Sequence, residues 1–319
     1  MGVTDAVEQP LRDRLAVTQP SEPIAPDEPT TAAVVVRGYL TEHVAALLDR
    51  APEVRLDEPD AVHQMRVATR RLRSVLATFR PLLDRDVTDP LRDELKWLAG
   101  VLGKVRDAEV LLERLRGLAA DEPAELAKVE SSARLERELD ETTRAGRVAL
   151  TKALASRRYR RLLDGLVSVV TDPALTHVAQ SPAGDVLPAR VRHDWKRLRG
   201  TVRAAEAAGT AGERATGLHE VRKAAKRLRY ASEALRPAMG RDPQRMAKAA
   251  KRLQTVLGEH NDSVVSRQLL RRLATQPRTT ASDALLYGRR CRPGDLGRAR
   301  ARKRQRRPGL RRHPPAGGR

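Results

Sequence analysis

The chain has 319 residues and a formal net charge of +21, from 62 Lys and Arg against 41 Asp and Glu. Hydrophobic residues make up 40% of it, enough for a real core, which excludes wholesale disorder. Aromatics at 2% argue against a base-stacking platform, and the single cysteine, Cys291, excludes an intramolecular disulfide and a cysteine-built zinc cage.

No stretch reaches the roughly 20 apolar residues that a membrane span needs. The first ten residues, MGVTDAVEQP, lack the basic and apolar regions of a signal peptide. The expectation is a soluble cytoplasmic protein without membrane contact.

The charge is uneven. Residues 1–35 hold six acids and two bases, whereas residues 289–319 hold thirteen bases and one acid. Prolines at 10, 20, 23, 26 and 29 predict a disordered acidic leader over 1–30. Residues 289–319 are dense in Arg, Gly and Pro, with little apolar periodicity, and predict a disordered basic tail. Three origins for that tail stand equal on composition: a solvated end, a polyanion-binding arm that takes nucleic acid, or a shifted reading frame.

Between the ends the apolar spacing is helical throughout. Thr30 or Thr31 caps a first helix with Val36, Leu40, Val44 and Leu47 on one stripe. Asp60 caps a second, carrying Val62, Met65, Thr69, Leu72, Leu76, Phe79 and Leu83. Pro90 opens a third, with Leu91, Leu95, Leu98, Leu102 and Val105 inward. Pro123 begins a long fourth reaching Val170. Pro188 opens a fifth to about Ala208, Leu218 a sixth ending near Pro237, and Pro243 a seventh to about Leu273. The class is all-α.

The sequence doubles on itself. His63-Gln-Met-Arg66-Val-Ala-Thr-Arg70-Arg71-Leu72-Arg73 recurs as His219-Glu-Val-Arg222-Lys-Ala-Ala-Lys226-Arg227-Leu228-Arg229. A second block follows in the same order: Lys96, Leu98, Val101, Leu102, Gly103 and Asp107 against Lys251, Leu253, Val256, Leu257, Gly258 and Asp262. The physical reading is two similar helical bundles, one over about 31–170 and one over about 186–288.

Each doubled helix carries a cationic face beside its apolar one. At 100° per residue, Arg66, Arg70 and Arg73 fall within roughly 80° of His63. His219, Arg222, Lys226 and Arg229 repeat that geometry, with Tyr230 on the same side. Residues 61–83 contain no acid, and neither do 221–232. An exposed helix ordinarily intersperses acids at i±4, so two equivalent acid-free stripes predict an external anion as the missing counter-charge. Lys96 with Gly103 and Asp107, and Lys251 with Gly258 and Asp262, form a second stripe, in which each Asp orients an Arg. A helix-interior glycine costs about 1 kcal/mol relative to Ala, so these two predict a close neighbour. Arg192, Lys196, Arg199 and Arg203 line one side of the fifth helix. Ser156-Arg157-Arg158-Tyr159 is a further basic cluster, as compatible with closing a site as with facing water.

The doubled His-x-x-Arg-x-x-x-(Arg/Lys)-Arg-Leu-Arg, followed each time by Leu-Gly-x-x-x-Asp, resembles the CHAD (conserved histidine α-helical) domain family over about residues 31–288. The resemblance implies two pseudo-symmetric four-helix bundles formed by the repeat. It implies non-catalytic binding of inorganic polyphosphate, in a basic groove or pore lined by His63, Arg66, Arg70, Arg73, His219, Arg222, Lys226 and Arg229, with Lys96 and Lys251 as further contributors. No cofactor and no metal are expected. Polyphosphate-metabolising enzymes and polyphosphate granules are the partners and location it suggests. Two departures stand out. Thirty leading residues leave no room for the CYTH-type triphosphate enzyme domain that accompanies some members, so no triphosphatase activity is expected. The last helix of the second bundle is expected to be incomplete, since only Ser282–Gly288 starts it. The rival reading is a protein that binds the nucleic-acid backbone through the basic helices and the Arg-rich tail.

Overall fold

In a computed structural model, residues 5–18, 30–120 and 130–274 are described, the side chains of 5–7, 18, 114–136, 138 and 259–274 aside. The described residues form α1 (Asp5–Thr18), α2 (Ala32–Arg55), α3 (Ala61–Thr78), α4 (Arg85–Ala120), α5 (Glu130–Leu154), α6 (Arg157–Thr171), α7 (Ala183–Glu206), α8 (Ala211–Met239) and α9 (Arg241–Ala274). Two 3₁₀ turns, Arg80–Leu82 and His177–Gln180, lie between them. No strand occurs among the described residues, in agreement with an all-α class. Two isolated bridges, Thr31 with Pro182 and Leu83 with Leu175, stitch loop to helix start.

The helix boundaries follow local chemistry, and several differ from the proline signals. Thr31 caps α2, accepting from the Val34 amide at 3.4 Å. Asp60 stands at the start of α3 in a left-handed conformation, but caps no backbone amide; its carboxylate accepts from Gln64 Nε2 at 2.7 Å. The long fourth helix is two, because Ser156 caps α6 by accepting from the Tyr159 amide at 3.2 Å. Helix α8 begins seven residues before Leu218. Thr210 and Glu213 form a reciprocal capping box there, which the T-x-x-E spelling already carried. Pro90, Pro188 and Pro237 are absorbed within helices rather than bounding them.

The leader is corrected over part of its length. Residues 5–18 form α1, and Leu11 and Leu15 are buried in the main core. Glu8, also buried, accepts both guanidinium nitrogens of Arg55, at 2.6 and 3.0 Å. Burial of two leucines and a satisfied ion pair offsets the cost of Pro10 inside the helix. The remainder of the leader, the Pro123 start, Ser282–Gly288 and the basic segment 289–319 lie outside the described residues.

The inward stripes of α2, α3 and α4 bury as their spacing predicts. Met65, Leu72, Leu76, Phe79, Leu95, Leu98, Leu102 and Val105 are all fully buried in one cluster. A second cluster gathers Leu198, Ala205, Val221, Ala224, Ala225, Leu228 and Ala250. Each large apolar side chain removed from water contributes about 1.5–3 kcal/mol. Helices α7 and α8 approach closely where Gly217 meets Ala205: a Cβ on Gly217 would stand 2.8 Å from the Ala205 Cβ.

Packing divides the chain into two compact units, one of Met1–Glu109 with Glu141–Asn261, the other of Val110–Asp140 with Asp262–Arg319. That division cuts across the sequence repeat, since both His-headed helices, α3 and α8, belong to the first unit. Every contact described below lies within that unit.

Candidate functional site

The two cationic helices pack on each other. Arg70 Nε donates to the Tyr230 hydroxyl at 3.0 Å. Further along, Arg227 of α8 donates to Thr78 Oγ1 and to the Ala77 carbonyl, both at 3.1 Å. Residue numbers therefore rise on α3 as they fall on α8 where the two helices cross. His63 and His219 lie toward opposite ends of the pair.

Tyr230 is the hub of the crossing. Its ring is buried, with the guanidiniums of Arg71 and Arg229 each 5.6 Å from its centroid. Glu233 accepts from Arg229 at 2.6 Å and lies 3.4 Å from Arg71. Four cations from the two repeats, Arg70, Arg71, Arg227 and Arg229, thus meet where α3 crosses α8. Arg227 is committed elsewhere. It reaches Asp194 at 2.7 Å, a fully buried carboxylate that also accepts from Thr78 at 2.7 Å.

Away from the crossing, α3 faces α4. Arg66 Nη1 donates to Asp107 at 2.8 Å, as the spacing of the second stripe suggested. Arg73 is half-buried. Burial, and then the like charge of Arg92 against the weaker pull of Asp93, holds its guanidinium pKa below the ordinary value. The His63 pKa is also lowered. Burial acts most strongly, Asp60 opposes it, and Arg106, Arg70 and Arg66 lower it further. Arg71, Arg92 and Arg106 thus stand near the sequence-derived set, Arg71 also within ion-pair distance of Glu233, Arg92 of Asp89 and Arg106 of Glu109. Arg71 was legible as the neighbour of Arg70; the other two sit on the side of α4 facing α3, at i−4 from Lys96 and i+3 from Gly103.

In the second copy, Arg222 packs against α9. A Cβ on Gly258 would stand 3.4 Å from its Nη2, and its Nε is buried without a hydrogen-bond partner. Gly103 faces Arg66 in the same way, with the Arg66 Cζ 4.0 Å from a notional Cβ. The close neighbour of each glycine is an arginine side chain rather than a backbone. Lys226 is half-buried, whereas His219, Lys96 and Lys251 are exposed. The side chain of Asp262 lies outside the described residues.

One expectation is revised and one open alternative is narrowed. The stripes are not free of protein counter-charge, because Asp107 and Glu233 reach Arg66, Arg71 and Arg229 from outside the acid-free windows. In the basic cluster at residues 156–159, left open by the sequence, Arg158 and Tyr159 are taken up within the protein. Arg158 forks onto Glu94 at 2.6 and 3.0 Å and stacks over Trp97 at 4.3 Å, while Tyr159 is buried. No group of three or more His, Cys, Asp or Glu poised to hold a metal occurs among the described residues. Nor is any described helix long and apolar enough to cross a membrane. A shallow depression of about 430 Å³ lined by Arg80, Asp84, Arg85, Asp86, Leu175 and Thr176 holds none of the stripe residues.

The CHAD domain family matches residues 38–271, most of the chain, and spans both His-headed helices. The chain belongs to the CHAD family. It is 40% identical over 286 residues to the uncharacterized proteins MT2285 and Rv2226 of two Mycobacterium tuberculosis strains. Those matches cover 86% of this chain and 52% of each relative, so the chain spans about half the length of the curated relatives it matches. Among solved structures, the CHAD domain from the plant Ricinus communis superposes with a TM-score of 0.63 at 28% identity, covering 88% of this chain and 94% of that one. PptA from Streptomyces chartreusis shares the fold, with a TM-score of 0.65 at 23% identity over 87% and 99% of the two chains.

Proposed function

We propose that this chain binds inorganic polyphosphate without chemically altering it, along the cationic face shared by α3 and α8. The observation that carries the reading is the crossing at Tyr230. Arg70 and Arg71 of one copy and Arg229 of the other come together there, so that two separate stripes make one track. The track runs from His63 and Arg66, through the crossing, toward Arg222 and His219, with Arg73 and Lys226 beside it and Lys96 and Lys251 on its flanks. Family membership supports the same substrate class. The reading takes residues 31–170 and 186–288 as two pseudo-symmetric bundles, each supplying half of the track.

The chemistry suits a linear phosphate polymer. A planar guanidinium matches two phosphoryl oxygens at once, while lysine offers a point charge. Asp107 and Glu233 keep their arginines extended and aimed until phosphate oxygens replace the carboxylates. Residence in the cytoplasm at polyphosphate granules, and partnership with polyphosphate-metabolising enzymes, belong to the same proposal.

The test is equilibrium binding of long-chain polyphosphate to wild type and to Arg70→Gln/Arg229→Gln. The double variant is expected to bind at least about tenfold more weakly, as loss of two charge-assisted contacts implies. Equal affinity in the two proteins rejects the track. Incubation with magnesium or manganese is expected to release no orthophosphate; steady release identifies an enzyme instead.

A further inference from the structure

Helix α7 carries another row of cations, which the α3–α8 face does not use. Arg192, Lys196, Arg199 and Arg203 recur at i, i+4, i+7 and i+11, and all four are exposed. The buried residues of α7, Leu187, Asp194, Leu198 and Ala205, occupy the opposite side of the helix. The row therefore runs along the crest, over about 16 Å at the α-helical rise.

The row is uncompensated by protein carboxylates. Arg50, Arg66, Arg80, Arg92, Arg158 and Arg229 each find a carboxylate. Among the described residues, no carboxylate comes within ion-pair distance of Arg192, Lys196, Arg199 or Arg203. The one acid between Val186 and Ala205 is Asp194, which is turned inward and spent on Arg227 and Thr78. Like charges one turn apart repel, so this arrangement costs helix stability unless an outside anion answers it. Trp195, 40% exposed, flanks the row between Arg192 and Arg199.

We propose that the crest of α7 is a second, separate surface that takes the phosphodiester backbone of nucleic acid. A straight row on a convex helix meets the outward phosphates of a duplex, whereas a thin phosphate chain gains most from a track with charge on two sides. Arginine forks and lysine points hold phosphate without reading bases, so the surface binds without sequence preference. An acidic membrane fits less well, since Trp195 is the one large apolar side chain beside the row and interfacial helices bury a whole apolar face. This surface goes beyond the polyphosphate reading and does not depend on it.

The test uses the full chain, with duplex DNA as probe and tryptophan fluorescence as the local signal. Duplex is expected to change the emission of wild type, and Trp195→Phe is expected to abolish that change. The variant Arg192→Gln/Lys196→Gln/Arg199→Gln/Arg203→Gln is expected to bind duplex about 100-fold more weakly at low salt, with a salt slope shallower by up to about four ions. Its polyphosphate affinity should stay within about twofold of wild type, as expected of a separate site. Arg199→Gln alone should weaken duplex binding with an unchanged helical spectrum, which guards against misfolding of the quadruple variant. Undiminished duplex binding in the quadruple variant places the contact elsewhere, as in the Arg-rich segment 289–319, and overturns the proposal. So does equal loss of duplex and polyphosphate, which merges the two surfaces. A Trp195 response to phosphatidylserine vesicles but not to duplex assigns the crest to a membrane instead.

Discussion

Arg70 and Tyr230 stand 160 residues apart in the chain, yet the Arg70 Nε–H donates to the Tyr230 hydroxyl at 3.0 Å. That bond ties the two copies of one motif to each other and fixes where their cationic faces meet. Tyr230→Phe keeps the ring between Arg71 and Arg229 but removes the acceptor. The expected result is a loss of about 1 kcal/mol of stability, the usual net worth of one hydrogen bond, read by urea denaturation. Polyphosphate affinity should fall severalfold, because Arg70 is no longer held in place.

Asp194 is the structural anchor between α7, α3 and α8. It is fully buried, accepts from Thr78 Oγ1 at 2.7 Å and lies 2.7 Å from Arg227 Nε in an ion pair. Asp194→Ala leaves Arg227 without its carboxylate, and breaking a buried pair costs about 3–5 kcal/mol. Arg227 keeps partial exposure to water, so the lower end of that range is expected, seen as a marked drop in Tm. A Tm equal to wild type contradicts the anchoring role.

Gly103 and Gly217 respond oppositely to alanine. Around Gly103 the nearest atom to an added Cβ is 4.0 Å away, so Gly103→Ala should stabilise α4 by up to about 1 kcal/mol through helix propensity. At Gly217 an added Cβ meets the Ala205 Cβ at 2.8 Å and its Cα at 2.9 Å. Helices α7 and α8 must part to admit it, and overpacking of this kind typically costs 1–3 kcal/mol. Thermal melts of the two variants should shift in opposite directions.

His43 gives the fold an acid sensitivity. It is buried against Tyr39, ring centroids 4.3 Å apart, and burial followed by the charge of Arg71 lowers its pKa to about 3. The unfolded chain protonates this imidazole near 6.5 while the folded chain does not. Stability is therefore full above 6.5 and falls as pH drops from there toward about 3, by at most about 1.4 kcal/mol per pH unit from this group. His43→Gln should flatten that part of the stability profile, whatever it does to stability at neutral pH.

His63 should give polyphosphate binding a pH dependence of its own. Its pKa lies below the ordinary 6.5 in the free protein, and a bound polyanion raises it. Affinity should rise as pH falls through the bound-state value and level off below the free-state value. His63→Gln should remove that part of the rise. An unchanged pH profile assigns His63 to packing.

The sequence alone determined the helical class, the apolar stripe of each main helix and the doubled His-Arg motif, because these follow from spacing within a single helix. Leu72, Leu76, Phe79, Leu95 and Leu102 are buried as that spacing requires. The capping box at Thr210 and Glu213 was equally legible, whereas proline positions misplaced several helix starts, since Pro90 and Pro188 stand at the sixth residue of their helices rather than at the first. Which cations keep a carboxylate was decided only in three dimensions. Glu233 lies one residue past an acid-free window and still reaches both Arg229 and Arg71, while Asp194 sits amid the basic row of α7 and faces away from it. Charge pairing depends on which helices become neighbours and at what angle they cross. That is set by the fit of their buried faces, which a one-dimensional pattern does not contain.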